Sequence, residues 1–150
     1  MFSDLSYEKF RDLAKKTDIS KYNKIGFPNN YRQGKEELIF KDMLSKIANL
    51  SKRHQKVLDI GPGCSELPHL FIDLLEKNYS ELTLIDSEEM LALLPEKEGV
   101  IKCKGMFPDE FDQFIEEKKG YYDVILLYSV IQYIFNDSDI WKFLDSTLTM

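Results

Sequence analysis

The sequence predicts an α/β fold built on an open parallel sheet with flanking helices. Three observations predict it. Short apolar runs at 57–60, 82–86, 100–104 and 123–128 are each followed by a segment of helical periodicity, the alternation that gives βα units joined by right-handed crossovers. The last run holds an unbroken Val124-Ile125-Leu126-Leu127 core, as in a parallel strand buried on both faces. The first run breaks at Asp59 and passes through Gly61-Pro62-Gly63 into an amphipathic stretch, the strand–loop–helix grammar of a small-cofactor site.

Each element has its own warrant. The first candidate helix spans 3–16, with Leu5, Phe10, Leu13 and Ala14 as apolar positions. Residues 18–34 read as irregular, because Gly26, Pro28, Asn29, Asn30 and Gly34 are turn residues. A helix is predicted over 35–50, where Phe40, Met43, Leu44, Ile47 and Ala48 follow one helical stripe. After the strand at 57–60, a helix over 66–77 places Leu67, Leu70, Phe71, Leu74 and Leu75 on one face. Pro68 falls in its first turn, where a missing N–H costs little. The strand at 82–86 leads to a short helix over 87–94, stopped by Pro95. The strand at 100–104 leads to a helix over 108–118 with Phe111, Phe114 and Ile115 inward. The strand at 123–128 precedes a helix over 137–149, with Ile140, Phe143, Leu144 and Leu148 in register.

Composition narrows the class. A hydrophobic share of 43% over 150 residues suits one globular domain with a real core. Acidic residues number 26 against 20 basic ones, and Lys and Arg are scattered rather than striped. That balance speaks for solubility and against a nucleic-acid partner. Cys64 and Cys103 lie far apart without CxxC spacing, and no signal peptide is recognised, so a cytoplasmic location is expected. The longest strongly apolar run, 124–130, is too short to span a bilayer, so no membrane partner is expected. The histidines and cysteines show no metal-ligand spacing, and no metal is expected.

The glycine loop selects among ligands. A dinucleotide fingerprint needs a third glycine where Glu66 stands, and a carboxylate there repels a pyrophosphate approaching a helix N-terminus. This disfavours a nicotinamide-dependent oxidoreductase. The pattern from Asp59 to Ser65 instead reads DxGxGxS. A cofactor without phosphates but with an ammonium and a sulfonium suits this acidic setting, and Gly61 and Gly63 let backbone approach it. Asp59 can also be a buried acid bonded to loop amides. Asp86 ends the second strand about 20 residues beyond the loop, where a ribose-binding acid is expected. It can equally cap the helix that starts at Ser87.

In order, VLDIGPGCSEL, LTLIDSEEML, KCKGMFPDEF and YYDVILLYSVIQYI, within 56–135, resemble the motif series of class I S-adenosylmethionine-dependent methyltransferases. The resemblance implies a Rossmann-like sheet whose first four strands take the order 3-2-1-4. Asp59, Gly61, Pro62 and Gly63 would cradle the methionine end of the cofactor. Asp86 would bind the ribose hydroxyls, with Ser87 and Met90 beside ribose and adenine. Gly105, Met106 and Phe107 would border the adenine, and Tyr128 and Ser129 would line the site near the sulfonium. Two departures stand out. Met106 replaces a frequent acid, leaving adenine selection to a backbone group or Asp109, and Ser65 replaces a glycine, implying a slightly wider helix–strand approach.

Residues 24–35 resemble the lead-in of bacterial methyltransferases acting on sugars of surface polysaccharides. That would make the segment a lid, with Tyr31 or Arg32 near the cofactor carboxylate; the alternative is a surface loop. The division expected is a helical cap or lid over 1–50 and a truncated methyltransferase domain over 51–150, the family's C-terminal strands being absent. Strand four would then be an apolar edge. Either the chain is a fragment of a longer enzyme, or a second copy or partner covers the edge.

The implied chemistry is methyl transfer from S-adenosylmethionine, with S-adenosylhomocysteine as product, to oxygen or nitrogen of a small molecule or sugar. The protein mainly aligns the acceptor and excludes water. Gln132 would position the acceptor, and Tyr133 is a packing or substrate residue. No catalytic base is assigned; His54 lies at the wrong end of the sheet and His69 on the first helix after the loop. The alternative is a non-catalytic module that binds the cofactor or a protein partner.

Overall fold

The computed structural model describes residues 4–150. Among them, four strands form one sheet: β1 (Lys56–Ile60), β2 (Glu81–Asp86), β3 (Val100–Lys104) and β4 (Val124–Leu126). All pairings are parallel and the order is β3-β2-β1-β4. This is the open parallel sheet that the alternating pattern predicts, in the Rossmann-like order that the resemblance implies.

The helices are α1 (Tyr7–Lys15), α2 (Lys21–Lys24), α3 (Asn29–Arg32), α4 (Glu36–Lys46), α5 (Glu66–Lys77), α6 (Glu88–Leu91), α7 (Asp112–Glu117), α8 (Ile131–Ile134) and α9 (Ile140–Thr149). Period-two alternation along β1 sends Val57 to one face and Leu58 and Ile60 to the other. Val57 joins Leu82, Leu84, Phe71 and Leu75 under α4 and α5. Leu58 and Ile60 join Ile85, Phe111, Ile115 and Phe143 under α7 and α9. Burying each such side chain stabilises by about 1.5–3 kcal/mol, so both layers hold the sheet.

Several boundaries differ from the sequence expectation, each for a local reason. Residues 18–34 are not irregular throughout: Ser20 Oγ accepts from the Asn23 amide to cap α2, and α3 follows Pro28. The helix expected over 35–50 stops at Lys46, because Ile47 leaves helical space (φ −116°, ψ 81°) and a 3₁₀ turn over Ala48–Ser51 buries Leu50 in the core. The helix expected from 108 begins at Asp112, after turns in which the amides of Glu110 and Phe111 donate to the carbonyls of Met106 and Pro108. β4 is shorter than 123–128, since it pairs only with Val57, Leu58 and Asp59, and β1 ends one residue later. Ser6, Ser87 and Asp139 cap α1, α6 and α9, moving those starts inward from 3, 87 and 137. Ser3 lies outside the described residues. No helix is long and apolar enough to cross a membrane among the described residues. The far edge of β4 has no strand partner among them.

Candidate functional site

Strand order reverses between β1 and β4: the chain moves from β1 outward to β2 and β3, then returns to the other side of β1. At such a switch point the loops after the two strands diverge and leave a crevice beyond their carboxyl ends. A cavity of about 140 Å³ opens there, bordered by Asp59, the Gly61–Gly63 loop, Asp86 and the Tyr128–Ser129 corner.

The loop needs its glycines. Gly61 and Gly63 have φ of +69° and +68°, the left-handed region that disfavours a side chain. A Cβ at Gly61 would stand 2.6 Å from Val130 Cγ2, and one at Gly63 2.6 Å from Ile25 Cγ2. Val130 and Ile25 thus pack where a side chain would stand, while the backbone of both glycines borders the cavity.

Two carboxylates on neighbouring strands face the cavity in different states. The Asp86 oxygens accept from the amides of Gly63 (3.1 Å) and Ser87 (2.7 Å). Burial lifts the Asp86 carboxyl to about 6, against the pull of those two amides and of the Ser87 hydroxyl. A carboxylate has about four acceptor sites, so capacity remains for a further donor. Asp59 is 7% exposed, and no hydrogen bond or ion pair from a described residue reaches its carboxylate. Burial, helped by Asp86, pushes it to about 7. The expected bonds from loop amides to Asp59 are not formed; Gly63 gives its N–H to Asp86 instead.

The roof comes from the N-terminal helices. Arg32 is 4% exposed and is the basic side chain among the described residues lining the cavity. Its Nε and Nη2 donate to Glu36 Oε1 at 3.1 and 2.9 Å, and Nη1 reaches Ser129 Oγ at 3.5 Å. The guanidinium carbon lies 5.0 Å from the Phe27 ring and 5.1 Å from the Tyr128 ring. Ser129 takes φ +60°, a strained conformation held where β4 ends. Tyr133 is 8% exposed, packs edge-on against Phe10, and its buried hydroxyl finds no partner. Tyr7 reaches the cavity from α1, its hydroxyl lifted to about 12 by burial and then by Asp86 and Glu110. The Tyr7 amide donates to Asp137 Oδ2 at 2.7 Å, while Arg11 grips Glu89 with two bonds of 2.9 and 2.8 Å. Helix α1 is therefore fastened on both flanks of the crevice.

The cavity brings together Asp59, Gly61, Pro62, Gly63, Asp86, Met90, Gly105, Met106, Phe107, Tyr128 and Ser129, and adds Arg32 and Tyr133. Three residues expected at the site do not reach it. Ser87 is buried as the cap of α6, its Oγ accepting from the Met90 amide. Tyr31 points outward at 59% exposure, stacked on Phe27. Gln132 is exposed and donates to the Ser129 carbonyl. Asp86 is not a helix cap, since Ser87 holds that position. Asp109 binds Lys142 at 2.7 Å and also faces away; Glu110 instead folds back onto the Met106 amide at 2.7 Å. Ser65 is enclosed, with its hydroxyl unpartnered.

Tyr7, Phe10, Ile25 and Phe27, which line the cavity, and Glu36, which holds Arg32, were not named as site residues from the sequence. Glu36 alone had a local signal, its i,i+4 spacing from Arg32. Among the described residues no cluster of His, Cys, Asp and Glu could hold a metal ion.

No family model and no curated protein matches the chain. Among solved structures, the crystal structure of a mutant of MtNAS is similar at 14% identity with a TM-score of 0.42, over 82% of this chain and 44% of that one. The chain thus spans less than half the length of that protein.

Proposed function

We propose that the cavity binds S-adenosylmethionine and that the chain supplies the cofactor-binding part of a methyltransferase for a small-molecule or sugar acceptor. The observation that carries this reading is the unpartnered Asp59 carboxylate in the same cavity as the Arg32 guanidinium. A buried acceptor without a donor is costly, so a ligand supplying one is favoured there. An α-amino acid group offers both complements, an ammonium for Asp59 and a carboxylate for Arg32. Asp86, one strand over, has lone pairs left for a vicinal diol such as a ribose, and Met90 and Phe107 offer apolar surface for a flat ring.

When bound, the cofactor supplies a methyl group on a positively charged sulfur. The chain's own residues hold and orient it. Phe10, Phe27 and Tyr128 give the cavity an apolar lining. On this reading residues 1–50 act as the cap over 51–150. The acceptor side lies toward Tyr133 and Ser129, and the unpaired edge of β4 takes a further strand or a second copy.

Calorimetric titration with S-adenosylhomocysteine tests the reading. Saturable heat is expected; none, with the fold intact, overturns it. A methyl-release assay over candidate hydroxyl and amine acceptors then separates an enzyme from a cofactor-binding module.

A further inference from the structure

The feature with no role so far is Glu36. It is 2% exposed, yet both of its oxygens are occupied. Oε1 takes the Nε and Nη2 donors of Arg32. Oε2 accepts from the Leu67 amide at 2.8 Å. Leu67 is the second residue of α5, the helix that starts directly after the glycine loop.

The position has a chemical meaning. The first amides of a helix and its dipole attract an anion, and this terminus is where a glycine loop normally delivers a phosphate. Pro68, the third residue of α5, has no N–H, so few donors are available there. Glu36 consumes one of them. Glu66, which the sequence pattern offered as the repelling charge, is half-exposed and paired with Lys21. Glu66 thus turns outward to Lys21, whereas the carboxylate that occupies a helix-start amide is the internal one, held by Arg32 and the Leu67 N–H together.

We propose that Glu36 is a resident anion: it fills the place a phosphate would take at the start of α5, turns phosphate-bearing nucleotides away from the cavity, and positions Arg32 along the cavity wall. The proposal does not depend on which ligand the cavity accepts, since it concerns the class refused.

The test compares the wild-type chain with Glu36→Ala by thermal unfolding, in inorganic phosphate and in sodium chloride of equal ionic strength at neutral pH. Removing the carboxylate frees the Leu67 amide and the Arg32 fork, both of which fit a small oxyanion. The variant should gain a saturable rise in Tm with phosphate, with an apparent affinity at least tenfold above the wild-type value. Equal responses of the two proteins overturn the proposal. Should Glu36→Ala be unfolded in chloride, recovery of the fold by phosphate supports it, and failure of any small oxyanion to restore the fold overturns it. A second measurement needs no variant. Pyrophosphate titrated into the wild-type protein should leave the Leu67 amide resonance unmoved, and a saturable shift there refutes the occupancy of that place by Glu36. A merely structural ion pair would explain a loss of stability, but not an acquired affinity for phosphate.

Discussion

Asp59 and Asp86 share one cavity, yet Asp86 holds two backbone amides and Asp59 holds none. The difference follows from the loop between β1 and α5. Gly63 turns its N–H toward the neighbouring strand, so the acid on the loop's own strand is left bare. Burial then lifts both carboxyls, Asp59 further than Asp86 because no donor offsets it.

A pH dependence of stability follows. The Asp59 carboxyl is raised from 3.8 to about 7. Between those values the folded state holds a proton that the unfolded state has released, so stability falls as pH rises through this window. The loss is on the order of a few kcal/mol at most, given access from the cavity. Melting curves across the window should show a declining Tm for the ligand-free wild-type protein and a flatter profile for Asp59→Asn. Parallel profiles would remove Asp59 as the cause.

The same proton shapes ligand affinity. On the proposed reading, an ammonium binds the ionised form of Asp59. Affinity for S-adenosylhomocysteine should increase as pH rises toward about 7, by up to about tenfold per pH unit, and level off above it; Asp59→Asn should remove the rise between about 6 and 7 and leave the part due to Asp86 below about 6. Calorimetry at several pH values reads this directly.

Asp86→Ala removes the acceptor expected for a ribose diol and releases the Gly63 amide. Affinity for S-adenosylhomocysteine should drop roughly ten- to a hundredfold, the equivalent of about 1.5–3 kcal/mol for charge-assisted bonds. Unchanged binding by a folded variant would take Asp86 out of the site.

Arg32 and Glu36 are both buried, so breaking the pair differs from replacing it. Arg32→Met leaves Glu36 uncompensated and should cost about 3–5 kcal/mol in urea unfolding, whereas Arg32→Met with Glu36→Met leaves only the Leu67 amide without its acceptor and should cost less, about 1–3 kcal/mol. Equal losses in both would show that the pair matters through its shape.

The Tyr133 hydroxyl is enclosed and unpartnered. Tyr133→Phe should therefore keep or raise Tm, because an unsatisfied group costs about 1–3 kcal/mol to bury. A clear loss of stability would reveal a partner for that hydroxyl.

The floor of the crevice was legible in the sequence because it is local. Val57 to Ile60, the two glycines and the α5 stripe lie within one continuous segment, and Asp86 follows at a spacing set by one βα unit. Of the roof, the resemblance pointed to a cap and to Arg32, but its other contacts were not legible because they join distant segments. Tyr7 meets Asp137 across a separation of 130 residues, and Arg32 meets Ser129 across 97. No periodicity encodes such meetings. Tyr31 and Gln132 show the same limit in reverse: their types suited a ligand contact, but stacking on Phe27 and a bond to the Ser129 carbonyl turned them outward.

The double fastening of α1, to Asp137 on one flank and Glu89 on the other, bears on the order in which the molecule matures. Contacts this far apart along the chain form only after long loops have closed. Enclosure of a guest is therefore the slowest contact to assemble, because it depends on the segments around Tyr7 and Asp137 meeting above the sheet.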